Sequence, residues 1–321
     1  MNVTAFFVRL LVLAVVFVNG WTDAPNAIAA VVGSGALTFH QAAALAAVCS
    51  FAGTALTCLF FPAVSATIGD LVLFSGGDWA VHTALCAAML AILLWAVVAW
   101  RFGLPTSESH ALMAGLAGSA LALGGQNAHL SFDAWAKVAA GLLISLIAGA
   151  LCGRWAHLWL RDRQCNAAAW QRFAAGGMAF LHGAQDGQKF MALLLLADEL
   201  GGVSPTPSVP LVLLCATVMT VGTGLGGRPI VEKVGYELTP LTPKSGLASD
   251  LGAGVCLLVC SALGLPVSTT HTKVAAICGV GFAGQRGGVS LRPVLEICGA
   301  WALTFPACAA LSWLFTRLML G

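Results

Sequence analysis

The sequence predicts an all-α polytopic membrane protein made of two inverted repeats, each with a broken or re-entrant helical hairpin. Three observations predict it. The first is composition: 59% of the 321 residues are hydrophobic and only 9% are charged, with a mean hydropathy of +0.90. A soluble domain carries about 25% charge, so this chain lacks the charges to solvate a globular surface. The second is a repeated motif. G-L-P-T-S-E-S-H at Gly103–His110 returns as G-L-P-V-S-T-T-H at Gly264–His271, offset by 161 residues. The third is another pair at nearly the same separation: N-G-W-T-D-A-P-N at Asn19–Asn26 matches H-G-A-Q-D-G-Q-K at His182–Lys189, offset by 163. Matched polar motifs in the two halves of an apolar chain are the pattern of a transporter built from structural repeats.

The repeats are expected at 1–160 and 173–321, joined by a basic connector at 161–172. In the first half, apolar segments fall at 4–19, 24–38, 42–68, 80–100, 111–124 and 133–160. In the second they fall at 173–181, 189–198, 208–225, 246–265, 273–284 and 293–320. The opening run Phe6–Val18 imitates a signal peptide, but an Asp motif and further spans follow, so it reads as the first membrane helix. A spanning helix needs roughly 20 apolar residues. The stretches after Pro105 and Pro266 are shorter than that. Each opens with Pro and a Ser/Thr cluster, suited to a helix first turn, and reads as a half-helix in a re-entrant hairpin. Irregular backbone at that depth requires protein or a watery cavity around it.

Between the halves, Arg154, Arg161, Arg163 and Arg172 face one acid, Asp162, which predicts a cytoplasmic connector. An odd number of crossings per half would then invert the repeats and place both termini outside. Gly201–Pro210 reads as an exposed loop. Ten Trp suit interfacial belts. Most of the eleven Cys lie in apolar runs, where Cys is a small packing residue, and no C-x-x-C pair exists. The Gly runs at Gly115–Gly118 and Gly222–Gly227 read as close helix contacts.

Four groups carry candidate chemistry. Asp23 and Asp186 are carboxylates inside membrane segments, costly unless paired, hydrated or protonated. They suit a hard cation such as Na+, or a proton; the alternative is an Asp that caps a broken helix. Thr106, Ser107 and Ser109, with Ser268, Thr269 and Thr270, place hydroxyls at two helix N-termini, where free N–H groups and the helix dipole favour an anion. The alternative is hydroxyls that bond only their own backbone. His110 and His271 end the two motifs and read as structural, bonded to loop carbonyls, since no zinc spacing surrounds them. Lys189 can offset anion charge or pair with a carboxylate.

These paired motifs resemble the inorganic phosphate transporter (PiT) family. The resemblance spans essentially the whole chain, including P-V-S-T-T-H-T and the W-A-L-T-F-P segment at Trp301–Pro306. It implies an inverted-repeat fold, frequently dimeric, in the cell (inner) membrane. It also implies import of phosphate by symport with Na+ or H+, with alternating access to a midplane site formed by both repeats. By position it assigns Asp23, Asn26, Asp186 and Gln188 to ion and substrate motifs, and Ser107, Ser109, Ser268, Thr269 and Thr270 to phosphate-facing hairpins. Neither enzymatic activity, a cofactor nor nucleic-acid binding is expected.

Two departures bear on coupling. Thr22 and Gln185 stand before the aspartates where the family often has Asn; both still offer oxygen. Glu108 stands where Ser or Thr is usual, opposite Thr269. An acid beside an anion site has to be protonated, paired with Lys189 or Lys273, or bound to the coupling cation. Phosphate near neutral pH still donates a hydrogen bond, which suits the carboxylates; sulfate cannot, and it is the alternative substrate. A passive anion channel is a second alternative. An intramembrane aspartyl protease is disfavoured: its G-x-G-D and P-A-L motifs are absent.

Overall fold

The computed structural model describes residues 3–74, 76–124, 128–284 and 288–321. Helices dominate it. In the first half they are α1 (Val3–Thr22), α2 (Pro25–Gly33), α3 (Phe39–Phe60), α4 (Ala63–Gly69), α5 (Asp78–Arg101), α6 (Glu108–Gly124) and α7 (Phe132–Arg161). In the second they are α8 (Ala167–Leu200), α9 (Val209–Leu225), α10 (Arg228–Glu232) with a π turn at Lys233–Glu237, α11 (Pro243–Ala262), α12 (Thr269–Ala283) and α13 (Leu291–Leu320). The two-residue strands β1 (Val72–Leu73) and β2 (His129–Leu130) pair antiparallel. Among the described residues, six helical stretches are long and apolar enough to cross a membrane, or seven if α9 and the segment after it, bent by 65°, form one span. This is a multi-pass membrane protein.

Prolines explain where helices break. Pro25 has no N–H to give and follows Asp23 by two residues, so α1 ends at Thr22 and the chain restarts as α2. Gln188 stands at the equivalent place after Asp186 and keeps its N–H. The two apolar runs expected at 173–181 and 189–198 therefore join into one 34-residue helix, α8, that carries Asp186 in its middle. The single run expected at 42–68 divides instead, because Pro62 interrupts it and Phe61 leaves the helical region. The connector is shorter than its basic composition suggests. Only 162–166 lie outside α7 and α8; Arg154 and Arg161 sit on α7 and Arg172 on α8.

The halves exchange partners rather than packing separately. α6 lies against α13 and α12 against α7; α1 lies against α9 and α8 against α3. Single glycines make these contacts twice. Gly118 faces the backbone of Ala309, and Gly279 faces that of Ala150. Gly222 faces Phe17 and Trp21, and Gly53 faces their equivalents Phe180 and Ala184. Each approach is backbone to backbone, as small residues permit in membrane helices. The exchange carries the two half-helices, α6 of 17 residues and α12 of 15, into the middle of the molecule.

Candidate functional site

The half-helix tips meet. The extended turns 102–107 and 263–268 precede α6 and α12, and Gly103 and Gly264 take φ of +63° and +65°, a region open to Gly at no steric cost. Across the junction, Thr270 Oγ1 reaches Thr106 O at 3.3 Å. The His110 and His271 rings stand edge to face with centroids 4.5 Å apart. Trp301 of α13 donates to Pro105 O at 2.8 Å and lies 3.8 Å from the His271 ring.

Around this junction the two Asp motifs close in. Asp23 Oδ1 accepts from Asn26 Nδ2 at 2.9 Å and from the Thr270 hydroxyl. Thr269 Oγ1 stands 3.4 Å from Asp23 Oδ2 and 3.5 Å from Asp186 Oδ2. Lys189 Nζ donates to Asp186 Oδ1 at 2.7 Å, Ser109 Oγ at 2.6 Å and Val267 O at 2.6 Å. One lysine thus ties α8 to both tips. Glu108 Oε1 lies 3.0 Å from Thr22 Oγ1, which also faces Val18 O at 2.8 Å.

Several expectations change here. Glu108 is paired with neither lysine: Lys189 is taken by Asp186, and Lys273 by Asp250 on α11. Among the described residues, His110 Nδ1 and both His271 ring nitrogens are buried without a hydrogen-bond partner, so these atoms bond no loop carbonyl. Ring packing holds these side chains instead. Ser107 Oγ accepts from His110 N at 3.3 Å and Ser268 Oγ from His271 N at 3.1 Å, so both cap their own half-helices while their hydroxyl protons stay free to donate. Gln185 points to the turn before α12, donating to Ser261 Oγ at 2.9 Å and Leu265 O at 3.3 Å. Gln188 faces α4, where its oxygen takes Val64 N at 3.0 Å.

Two residues of the cluster were not singled out from sequence. Asn19 Nδ2 lies 3.3 Å from Asp186 Oδ2, and His182 Nε2 lies 3.6 Å from the same oxygen. They open the two repeated Asp motifs, so the equivalence of positions 19 and 182 was the available signal. The whole cluster is shut from solvent. The most exposed of the residues expected to bind substrate or cation, Thr106, is 7% exposed.

Chemically the cluster is short of positive charge. Asp23, Asp186 and Glu108 face one lysine, and an anion added alone would meet a carboxylate excess. It is also short of donors: among the described residues, Asn19 Oδ1, Asn26 Oδ1 and Glu108 Oε2 are buried oxygens with no hydrogen-bond partner. Buried oxygens without donors are costly in protein alone and are the ligand type a hard cation takes.

A sequence profile of the phosphate transporter family matches residues 19–168 and again 162–312. The chain belongs to the phosphate transporter family. A probable low-affinity inorganic phosphate transporter of Bacillus subtilis is 30% identical over 93% of this chain and 92% of its own length. A protein of the same description from Rhizobium meliloti is 33% identical, over 92% and 90% respectively. A solved sodium-dependent phosphate transporter superposes with a TM-score of 0.85 over 99% of both chains at 21% identity, which establishes the fold. The family consists of transporters, not enzymes.

Proposed function

We propose that this protein imports inorganic phosphate by symport with a cation, Na+ in first place and H+ otherwise, through alternating access to the cluster between the two half-helix tips. The observation that carries this reading is the pairing of opposite requirements at one place. The α6 and α12 N-termini, with Ser107 and Ser268 hydroxyl protons free, favour a tetrahedral oxyanion. The surrounding carboxylates and donor-less Asn19, Asn26 and Glu108 oxygens favour a cation. Each ion makes the other's binding less costly, which is the thermodynamic content of coupling. Asp23, Asp186, Asn26 and Thr22 would hold the cation; Thr106, Ser107, Ser109, Ser268, Thr269, Thr270 and Lys189 would surround the anion. In this reading each repeat would gate one route to the site, and the basic residues about the connector favour a cytoplasmic face in a cell membrane. A homodimer fits the family habit.

Carboxylates near the anion favour phosphate, which keeps a proton to donate, over sulfate. The test is uptake of labelled phosphate by proteoliposomes under an inward Na+ gradient, an inward proton gradient or neither, with sulfate as competitor. Accumulation above equilibrium that needs a gradient and collapses with an ionophore is expected. Simple equilibration would mean a channel, and stronger inhibition by sulfate than by unlabelled phosphate would mean a sulfate carrier.

A further inference from the structure

A second buried ion pair lies outside this site. Lys273 of α12 pairs with Asp250 of α11, and neither side chain has any solvent exposure. Ser249 Oγ lies 3.5 Å from the same ammonium, and Gln171 of α8 approaches the carboxylate. Burying two charges costs several kcal/mol per ion, and apolar residues of similar size often serve a fold as well or better. This protein contains its own control. The repeat offset of 161 places Met89 of α5 opposite Asp250 and Leu112 of α6 opposite Lys273. Both are fully buried in the same apolar cluster. An apolar pair therefore satisfies this packing position in one repeat, so packing does not demand the charges in the other.

Position supplies the reason for them. Lys273 is one helical turn beyond Thr269. Its neighbours Thr272 and Ala276 pack on Gly149 and Gly153 of α7, on the way to the α7 end at Arg161. Asp250 is six residues, about 9 Å of helix, beyond Lys244, whose ammonium donates to Arg161 O and Arg163 O. The pair thus lies between the central cluster and the connector face. Along α12 between the cluster and the connector stands an ammonium, whereas at the equivalent positions of the other repeat stand Leu112 and Met89.

We propose that Lys273 is a second anion station on the connector side, holding phosphate in transit, with Asp250 as the resident counter-ion that phosphate displaces and that resets the lysine after release. This rests on the transport reading above. It makes the two routes electrostatically unequal, so that release toward the connector proceeds through an intermediate stop.

Two double variants test it. Asp250→Met with Lys273→Leu copies the first repeat, and Asp250→Lys with Lys273→Asp keeps a pair but moves the cation to α11. Insertion, melting, equilibrium phosphate binding and uptake turnover are measured against wild type in the same vesicles. Both variants are expected to insert and to bind phosphate within about threefold of wild type, while turnover falls about tenfold or more. Wild-type turnover in either variant would show a packing pair only and overturn the station. So would failure of both to insert, or binding lost in step with uptake. Because every value is a ratio to wild type, a wild type that carries sulfate instead leaves the test intact with sulfate as the probe, and fails only the phosphate reading.

Discussion

Asp23 and Asp186 share one hydroxyl. Thr269 Oγ1 sits 3.4 Å from one carboxylate and 3.5 Å from the other, yet a hydroxyl has a single proton to donate. It serves one aspartate at a time, and a cation between the two would serve both. The aspartates are otherwise unequal. Asp186 holds the Lys189 ammonium, whereas among the described residues Asp23 is met by the neutral donors Asn26, Thr270 and Thr269.

That inequality separates two variants. Asp23→Asn and Asp186→Asn should each abolish accumulation of phosphate above equilibrium. Only Asp186→Asn strands a buried lysine, a change that costs about 3–5 kcal/mol. Uptake assays paired with thermal melting of the purified protein check both parts. Equal melting losses would show that Lys189 finds another counter-charge, and near-normal uptake by either variant would remove that aspartate from the coupling site.

Ser107 and Ser268 allow capping to be separated from ligand binding. Replacing a cap Ser by Ala costs about 1 kcal/mol of stability and by Gly only a few tenths. Both changes remove the proton that a phosphate oxygen would take. Ser268→Gly is therefore expected to melt close to wild type yet to bind phosphate more weakly by about 1–3 kcal/mol, measured by calorimetry. An unchanged affinity would leave the hydroxyl with the backbone role alone.

The repeats, the half-helices and the membrane class were legible because they are written locally, in runs of apolar residues and in Pro, Gly and hydroxyl punctuation. Partners were not. Lys189 and Lys273 looked equally available to Glu108 in sequence, but their carboxylates are set by helix faces: Asp186 lies three residues away on the same helix, and Asp250 on a neighbouring one. The continuity of α8 turned on one residue, Gln188 in place of the proline at Pro25, and apolar runs alone hide it. His110 and His271 were expected to seek carbonyls; the exchange of half-helices sets them edge to face, with His271 also against Trp301, instead, and no local pattern shows that exchange.

The exchanged packing gives its own prediction at the glycines of the repeated Asp motifs. A methyl on Gly20 would sit 2.9 Å from Thr223 N, and one on Gly183 would sit 2.7 Å from Ser50 Cα. Backbone cannot yield as a side chain tip can. Gly20→Ala and Gly183→Ala should each destabilise the protein by about 1–3 kcal/mol, read as a lower melting temperature. Gly177→Ala, on the same helix with open space beside it, is the control and should melt like wild type.

Glu108 gives the last prediction. It begins α6, where the helix dipole favours a negative charge, and it lies beside the proposed anion site, where a fixed negative charge is unfavourable. With both lysines engaged elsewhere, its sole hydrogen-bond contact among the described residues is Thr22, and Oε2 has none there. The Thr22 hydroxyl faces Val18 O at 2.8 Å as well, so its one proton cannot satisfy both oxygens. The contact closes when Glu108 brings a hydrogen of its own or when a cation lies against it. Under the symport proposed above, either would make Glu108 a carrier of the coupling ion, not a latch between α6 and α1. Glu108→Gln keeps the shape and the contact to Thr22 but removes the charge. It should flatten the dependence of uptake on pH, or raise the half-saturating Na+ concentration about tenfold, equivalent to roughly 1.4 kcal/mol. Apparent phosphate affinity under the best conditions should move much less. Uptake measured across pH and Na+ for both proteins decides it: profiles that stay parallel to wild type, accompanied by a lower melting temperature, would return Glu108 to the role of a latch.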